Sequence, residues 1–409
     1  MKDPEPVPIA EEPAPGRASL AIAPGVLLAG VAGGIAFPIL PIVGIQAGLP
    51  LPFIGAILAA NRATRVVASP LVGVLADRFG GRRTLLVGLL LQCVVMALYA
   101  LGIVTRRPGA FFLAGRLLHG PGSACVFVAG QALALHAGGR LHAGRAAAAV
   151  RAAMALGIPV GLVVGGVLSD RFGNAATFEA ALVAVALATL VAWRLVPDLR
   201  LPAVGGERWI DVLRATADRR MLAIGALNFA GSFTAQGMVL TTLSLVVRER
   251  RLTILGLGDT GSSGLLMGVM VVTMALFMPF AGRAGDRLGL HAPIALAGLV
   301  ALVPSLLLVA LAPTPAILLA GLALMGLGSG ALSPSLLALV GDITPRERRG
   351  TAVGLLQLSG DLGGTLGPLV GTALFTRSAS VPYVAAAGLL ACFAPLAVGL
   401  LRVGRRKPG

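Results

Sequence analysis

Gly73-Val-Leu-Ala-Asp77-Arg78-Phe-Gly80-Gly81-Arg82-Arg83 is a short charged turn set between two apolar runs, each long enough to cross a bilayer. Roughly half a chain later, Gly282-Arg-Ala-Gly-Asp286-Arg287-Leu-Gly289 repeats the pattern Gly-x-x-x-Asp-Arg-x-Gly. A pattern that returns at that distance marks a duplicated membrane protein. In such a turn the Asp stands where one helix ends and the Gly permits a tight reversal. The Arg residues keep to the aqueous interface and oppose translocation, so the turn also sets orientation.

Composition agrees with that reading. Of 409 residues, 56% are hydrophobic and 12% charged, and the mean hydropathy of +0.91 is beyond a soluble domain of this length. A net charge of +16 invites a nucleic-acid reading, but the basic residues cluster in alternate loops, as membrane insertion requires. Cys93, Cys125 and Cys392 all fall in apolar runs without disulfide or zinc spacing, and read as small apolar fillers. No Walker loop, His/Glu metal pair or nucleophile elbow occurs. The expectation is a protein that is not an enzyme, holds no metal or cofactor, binds no nucleic acid and draws its energy from gradients.

Working outward from the turn, residues 1–18 are Pro-rich and acidic and read as a disordered cytoplasmic tail. Apolar runs follow at 19–45, 52–76, 84–104, 110–135, 145–168 and 175–196, then at 220–247, 263–282, 292–312, 315–340, 351–376 and 382–402. The fold class expected is therefore all-α and integral to the membrane, with twelve transmembrane helices in two six-helix halves, 19–196 and 220–402. Between the halves, residues 197–219 carry alternating charges with Trp209, Val212 and Leu213 at helical spacing, a linker with a short interfacial helix. Residues 403–409 form a basic tail. With both termini cytoplasmic, about 21 of the 33 Lys and Arg fall inside and about 7 outside, as the positive-inside rule demands. The remaining Arg62, Arg65, Arg116, Arg151 and Arg194 fall within spans. The first span is Gly-rich and ends in Phe37-Pro38-Ile-Leu-Pro41, so it is expected to be bent or broken near its outer end.

The duplicated turn resembles the signature loop of the major facilitator superfamily, which lies between helices 2 and 3 and returns, weakened, between helices 8 and 9. Gly81 departs from that pattern, in which the position after Gly80 is usually basic. The fourth span, Arg116-Leu-Leu-His119-Gly120-Pro-Gly122, is similar to the family's fourth-helix motif, and its counterpart, Gly326-Leu-Gly328-Ser329, has Leu322 in place of the Arg. The fifth span, with Gly157, Pro159, Gly161, Gly165 and Gly166, resembles the antiporter signature except that Leu162 replaces its Pro. It is matched in the eleventh by Gly363, Gly367, Pro368 and Gly371. These glycines read first as close-packing seams between helices.

Ionisable groups at membrane depth are costly and are functional candidates by default. Arg62 and Arg65 lie three residues apart on nearly one helix face, roughly 15–20 Å deep in a core about 30 Å thick. Asp361 lies roughly 15 Å from the other end of its span and is the one acidic residue at that depth. The family resemblance sets helices 2 and 11 side by side, so Asp361 is expected to face Arg62 or Arg65, as a structural ion pair or as one coupled to proton or substrate. Asn228, Ser232 and Gln236 form a polar stripe at i, i+4, i+8 that cannot face lipid, with Ser329 and Ser333 as possible companions. The resemblance places helices 1, 4, 7 and 10 around a central cavity, so the stripe contacts substrate or else forms interhelical bonds. The candidate substrate and proton pathway is Arg62, Arg65, Arg116, Asn228, Ser232, Gln236 and Asp361. The candidate switch loops are Gly73, Asp77, Arg78, Gly80, Arg82 and Arg83, with Gly282, Asp286, Arg287 and Gly289.

The resemblance implies a secondary transporter working by alternating access, with proton-coupled efflux of a small organic solute as the first expectation. An importer or facilitator of an organic anion, or a sensor that kept the fold, are the alternatives. Arginines outnumber carboxylates at depth, so anionic or amphipathic solutes are favoured. A monomer in a bacterial inner membrane, with protons as the coupling ion, completes the expectation.

Overall fold

A computed structural model describes residues 15–137, 139–196, 218–289, 291–345 and 348–404. The expected disordered tail up to residue 14, the linker 197–217 with its interfacial helix, and the basic tail from 405 lie outside the described residues, as does the side chain of Asp77.

Among the described residues twelve helices follow in order: α1 Pro15–Gln46, α2 Leu51–Phe79, α3 Gly81–Val104, α4 Pro108–Ala137, α5 Gly139–Phe172 and α6 Asn174–Leu195. Then come α7 Arg219–Arg250, α8 Asp259–Leu288, α9 His291–Leu311, α10 Pro315–Ile343, α11 Arg349–Phe375 and α12 Val381–Gly404. Eleven are long and apolar enough to cross a membrane, and α11, with 27 residues, packs among them against α2 and α7. Backbone groups in a bilayer must be satisfied within the chain, and long helices do this locally. Proline opens α2 and α10, where a missing N–H costs nothing.

One expectation changes and another narrows. Helix α1 begins at Pro15, inside the segment read as tail, because Pro suits a first helical turn and the following Ala and Leu favour helix. Of the two outcomes expected at its outer end, bent or broken, it is not broken: the helix runs on through Pro38 and Pro41, where neighbouring helices enclose it. The turn between α2 and α3 consists of Gly80 alone, at φ +91°, a region that favours glycine.

Each half has its own core. One is drawn from α1–α6, where Tyr99 packs edge-on to Phe112 and against Phe178 at ring distances of 5.7 and 5.1 Å. The other is drawn mainly from α7–α12, including Leu243, Leu302, Leu336 and Tyr383. Large apolar side chains such as Val67, Leu187, Leu276 and Phe280 remain exposed, as a lipid-facing surface requires.

Helices α2 and α11 form one seam between the halves, and α5 and α8 the other. Their tight contacts run from mid-depth to the face opposite the termini. There a Cβ on Gly55 would lie 2.7 Å from the Pro368 carbonyl, and one on Gly166 would lie 3.2 Å from the Cα atoms of both Gly261 and Gly264. Phe37, Ile45 and Leu51, near that same face, pack on the core of the second half. Nearer the termini, a Cβ on Gly73 or Gly354 would meet nothing within 4 Å. The halves thus close at the far face and part toward the terminal one.

Candidate functional site

Of the candidate pathway residues, Arg62, Arg65, Gln236 and Asp361 converge where α2, α7 and α11 meet at mid-depth. Arg65 Nη2 donates to Asp361 Oδ1, and Arg62 Nη1 lies 3.6 Å from the same oxygen. Arg62 Nη2 also donates to Gln236 Oε1 at 2.7 Å. Asp361 is therefore engaged by both arginines rather than by one, and its side chain is 8% exposed against 17% and 22% for Arg62 and Arg65. Gly364 makes this possible, because a Cβ there would lie 2.6 Å from Arg62 Cδ.

The stripe on α7 crosses an irregularity that the sequence does not announce. Residues Ser232–Val239 form a π-helical stretch inside α7, a wide turn of the kind that recurs at functional sites. A Cβ on Gly237, in that stretch, would fall 2.8 Å from Gly367 Cα, so α7 and α11 touch backbone to backbone. The three stripe residues consequently differ in their bonds. Asn228 Nδ2 donates across to Leu356 O at 2.7 Å and Ser359 Oγ at 3.2 Å, whereas Gln236 holds Arg62.

All three stripe residues nonetheless line one cavity of about 130 Å³ in the second half. Its other walls are Met270, Met274 and Met278 from α8 and Ser329 and Ser333 from α10. Met270, Met274 and Met278 escaped notice in the sequence, although their i, i+4, i+8 spacing was there to be read. The cavity therefore has a polar wall on α7 and α10 and a soft, polarizable wall on α8. Gln236 joins it to the charge cluster.

Arg116 stands apart from that cluster. It is wholly buried on α4, and its three guanidinium nitrogens have no hydrogen-bond partner among the described residues. Its Cζ lies 5.1 Å from the centre of the Phe37 ring, a cation–π contact with α1. His119 Nδ1, Tyr99 OH and both amide atoms of Gln92 are likewise buried with no hydrogen-bond partner among the described residues. The first half thus carries unsatisfied polar capacity in its interior, and Gln92 and Tyr99 were not singled out from sequence.

The switch-loop candidates are scattered along the terminal face. Arg82 Nη2 donates to the Trp193 carbonyl, tying α3 to α6, while Arg78 lies over the Phe79 ring and Arg83 is exposed. In the second copy Gly289 closes α8 at φ +62°, Arg287 is exposed, and Asp286 is 77% exposed with His291 Nε2 at 3.7 Å. Gly282 faces open space. The candidate packing residues lie at helix contacts. A Cβ on Gly157, Gly161 or Gly165 would reach the α1 backbone at Gly30, Val31 or Ile35, and Gly166 meets α8. Gly363, Gly367 and Gly371 meet α7, while the Pro368 carbonyl accepts from Thr372 Oγ1 at 2.8 Å.

Comparison with known proteins places this architecture. The family model described as Major Facilitator Superfamily matches residues 22–261 and 226–409. A protein from Lactococcus lactis named "Multi-drug resistance efflux pump PmrA homolog" is 28% identical over 362 residues, covering 86% of each chain. Among solved structures, the nucleoside transporter NupG (D323A mutant) superposes with a TM-score of 0.80 at 12% identity, covering 95% of this chain and 100% of that one. The human organic anion transporter MFSD10 gives 0.66 at 21% identity, covering 94% and 100%. At such identities the structures speak for the fold, and the family match covers nearly the whole span region. This chain is a multi-pass membrane transporter belonging to the Major Facilitator Superfamily.

Proposed function

We propose that this protein exports a small organic solute across a bacterial inner membrane in exchange for protons, with both termini cytoplasmic. The observation that carries the reading is the shared contact of Arg62 and Arg65 with Asp361, one carboxylate at mid-depth spanning the two halves. A carboxylate held by cations of the opposite half is stable while the halves are together and gains a proton when they part. Proton movement is then tied to alternating access. Gln236 bonds Arg62 and lines the cavity, so solute and proton act on one cluster.

Arg62, Arg65 and Arg116, whose guanidinium has no hydrogen-bond partner among the described residues, favour an anionic or zwitterionic group, and the methionine wall favours an apolar body. The names of the efflux pump from Lactococcus lactis and of the organic anion transporter MFSD10 agree with export and with solute charge, respectively. The chain divides into a first half, α1–α6, and a second half, α7–α12, joined by the linker between them, and it acts as a monomer. Gly73, Asp77 and the arginines of the first turn serve as the conformational switch on the cytoplasmic face.

The test is accumulation in inside-out vesicles under an imposed pH gradient, comparing paired anionic and cationic dyes of similar size. Gradient-dependent accumulation of the anionic dye is expected. Equilibration that ignores the gradient supports a facilitator, and preference for the cation overturns the charge assignment.

A further inference from the structure

The tetrapeptide Asp77-Arg78-Phe79-Gly80 recurs unchanged as Asp170-Arg171-Phe172-Gly173. The first copy ends α2 and the second ends α5 three spans later, so the two copies lie at opposite faces of the membrane. Their glycines share a backbone conformation, φ +91° with ψ 149° and φ +88° with ψ 160°. Each copy ends the first-half member of one inter-half seam. The copy at 170–173 is the one whose side chains are fully described.

Asp170 reaches across its seam to the start of α8. That helix begins at Asp259, and its N-cap position is Gly258, which has no side chain to cap it. The Asp170 carboxylate takes the role instead, with Gly261 N–H donating to Oδ2 at 2.8 Å. A capping side chain accepts from the second or third helical residue, and Gly261 is the third. The glycines at 258 and 261 leave room for it, since a Cβ would lie 3.0 Å from Asp170 Oδ1 at the first and 3.1 Å from Asp170 Cγ at the second. Directly below, Gly166 and Gly264 bring the two backbones together.

The geometry points to Asp170 as a latch, an N-cap supplied in trans that holds the halves closed at the face opposite the termini. Opening that face withdraws Asp170 and leaves the first N–H groups of α8 uncapped. The latch therefore sets the balance between the state open to the terminal face and the state open to the other. It needs no solute and does not rest on Asp361 carrying a proton.

The experiment uses the full chain with Cys93, Cys125 and Cys392 replaced by alanine and spin labels on cysteines placed at Ala176 and Leu255, both exposed near that face. Pulsed dipolar spectroscopy in nanodiscs reads the ratio of short to long separations. Asp170→Ala should shift that ratio toward the long separation by about tenfold, the size of a lost cap, and Asp170→Asn far less, because Asn caps nearly as well as Asp. Asp170→Ala combined with Gly258→Ser gives α8 a cap of its own without restoring the tie and should stay open. An unchanged distribution in Asp170→Ala overturns the latch. Reclosure by Gly258→Ser also overturns it, since that would assign Asp170 to local helix capping alone.

Discussion

Arg65→Gln and Asp361→Asn, made singly and together, test whether the mid-depth cluster acts as one unit. The Asp361 side chain is 8% exposed and Arg65 22%. Removing one member of a fully buried pair costs about 3–5 kcal/mol. Here the pair lies where the halves begin to part, and Arg62 remains 3.6 Å from the carboxylate when Arg65 is lost. About 1–3 kcal/mol is therefore expected for each single variant, a cost that leaves folded protein. The double variant should cost less than the sum of the singles by about 1–2 kcal/mol, the signature of residues in one network. Unfolding in a fixed detergent, followed by far-UV circular dichroism for the four proteins, measures this. Additivity within about 0.5 kcal/mol would refute the shared cluster.

Gly161→Leu should destabilise the protein by several kcal/mol, because even a Cβ there would press on the Val31 backbone, with its carbonyl carbon at 2.8 Å; the same assay reads it. Gly364→Val should leave the fold largely intact but displace Arg62, so binding of an anionic dye should weaken while a neutral analogue is unaffected. Asp286→Asn should be close to silent in transport, given its 77% exposed side chain, whereas Asp77→Asn should impair transport at normal expression. Equal rates in those two variants would remove the switch role from the first turn.

Fold class was legible because apolar run length in a bilayer leaves few alternatives, and because the loop at Gly73–Arg83 returns at Gly282–Gly289. The approach of Asp361 to the arginines followed from depth and from the resemblance, but its engagement of both did not. That depends on Gly364 leaving space for Arg62, which no spacing rule encodes. The α7 stripe was legible as polar, yet a strict α period could not foresee the π-helical stretch at Ser232–Val239 that turns Gln236 to Arg62 while Asn228 bonds α11. The second Asp-Arg-Phe-Gly stood in plain view at 170–173. It lies three spans from the first copy rather than six, outside the half-chain period that relates the two halves.

The central claim is that Asp361 carries the coupled proton. Asp361→Asn holds the site in its neutral form. The decisive measurement is therefore pH-gradient-driven accumulation of an anionic dye in proteoliposomes, with reconstituted amounts matched to wild type. The variant is expected to bind the dye and exchange it down its own gradient, yet to fail to concentrate it. Accumulation equal to wild type would contradict the assignment.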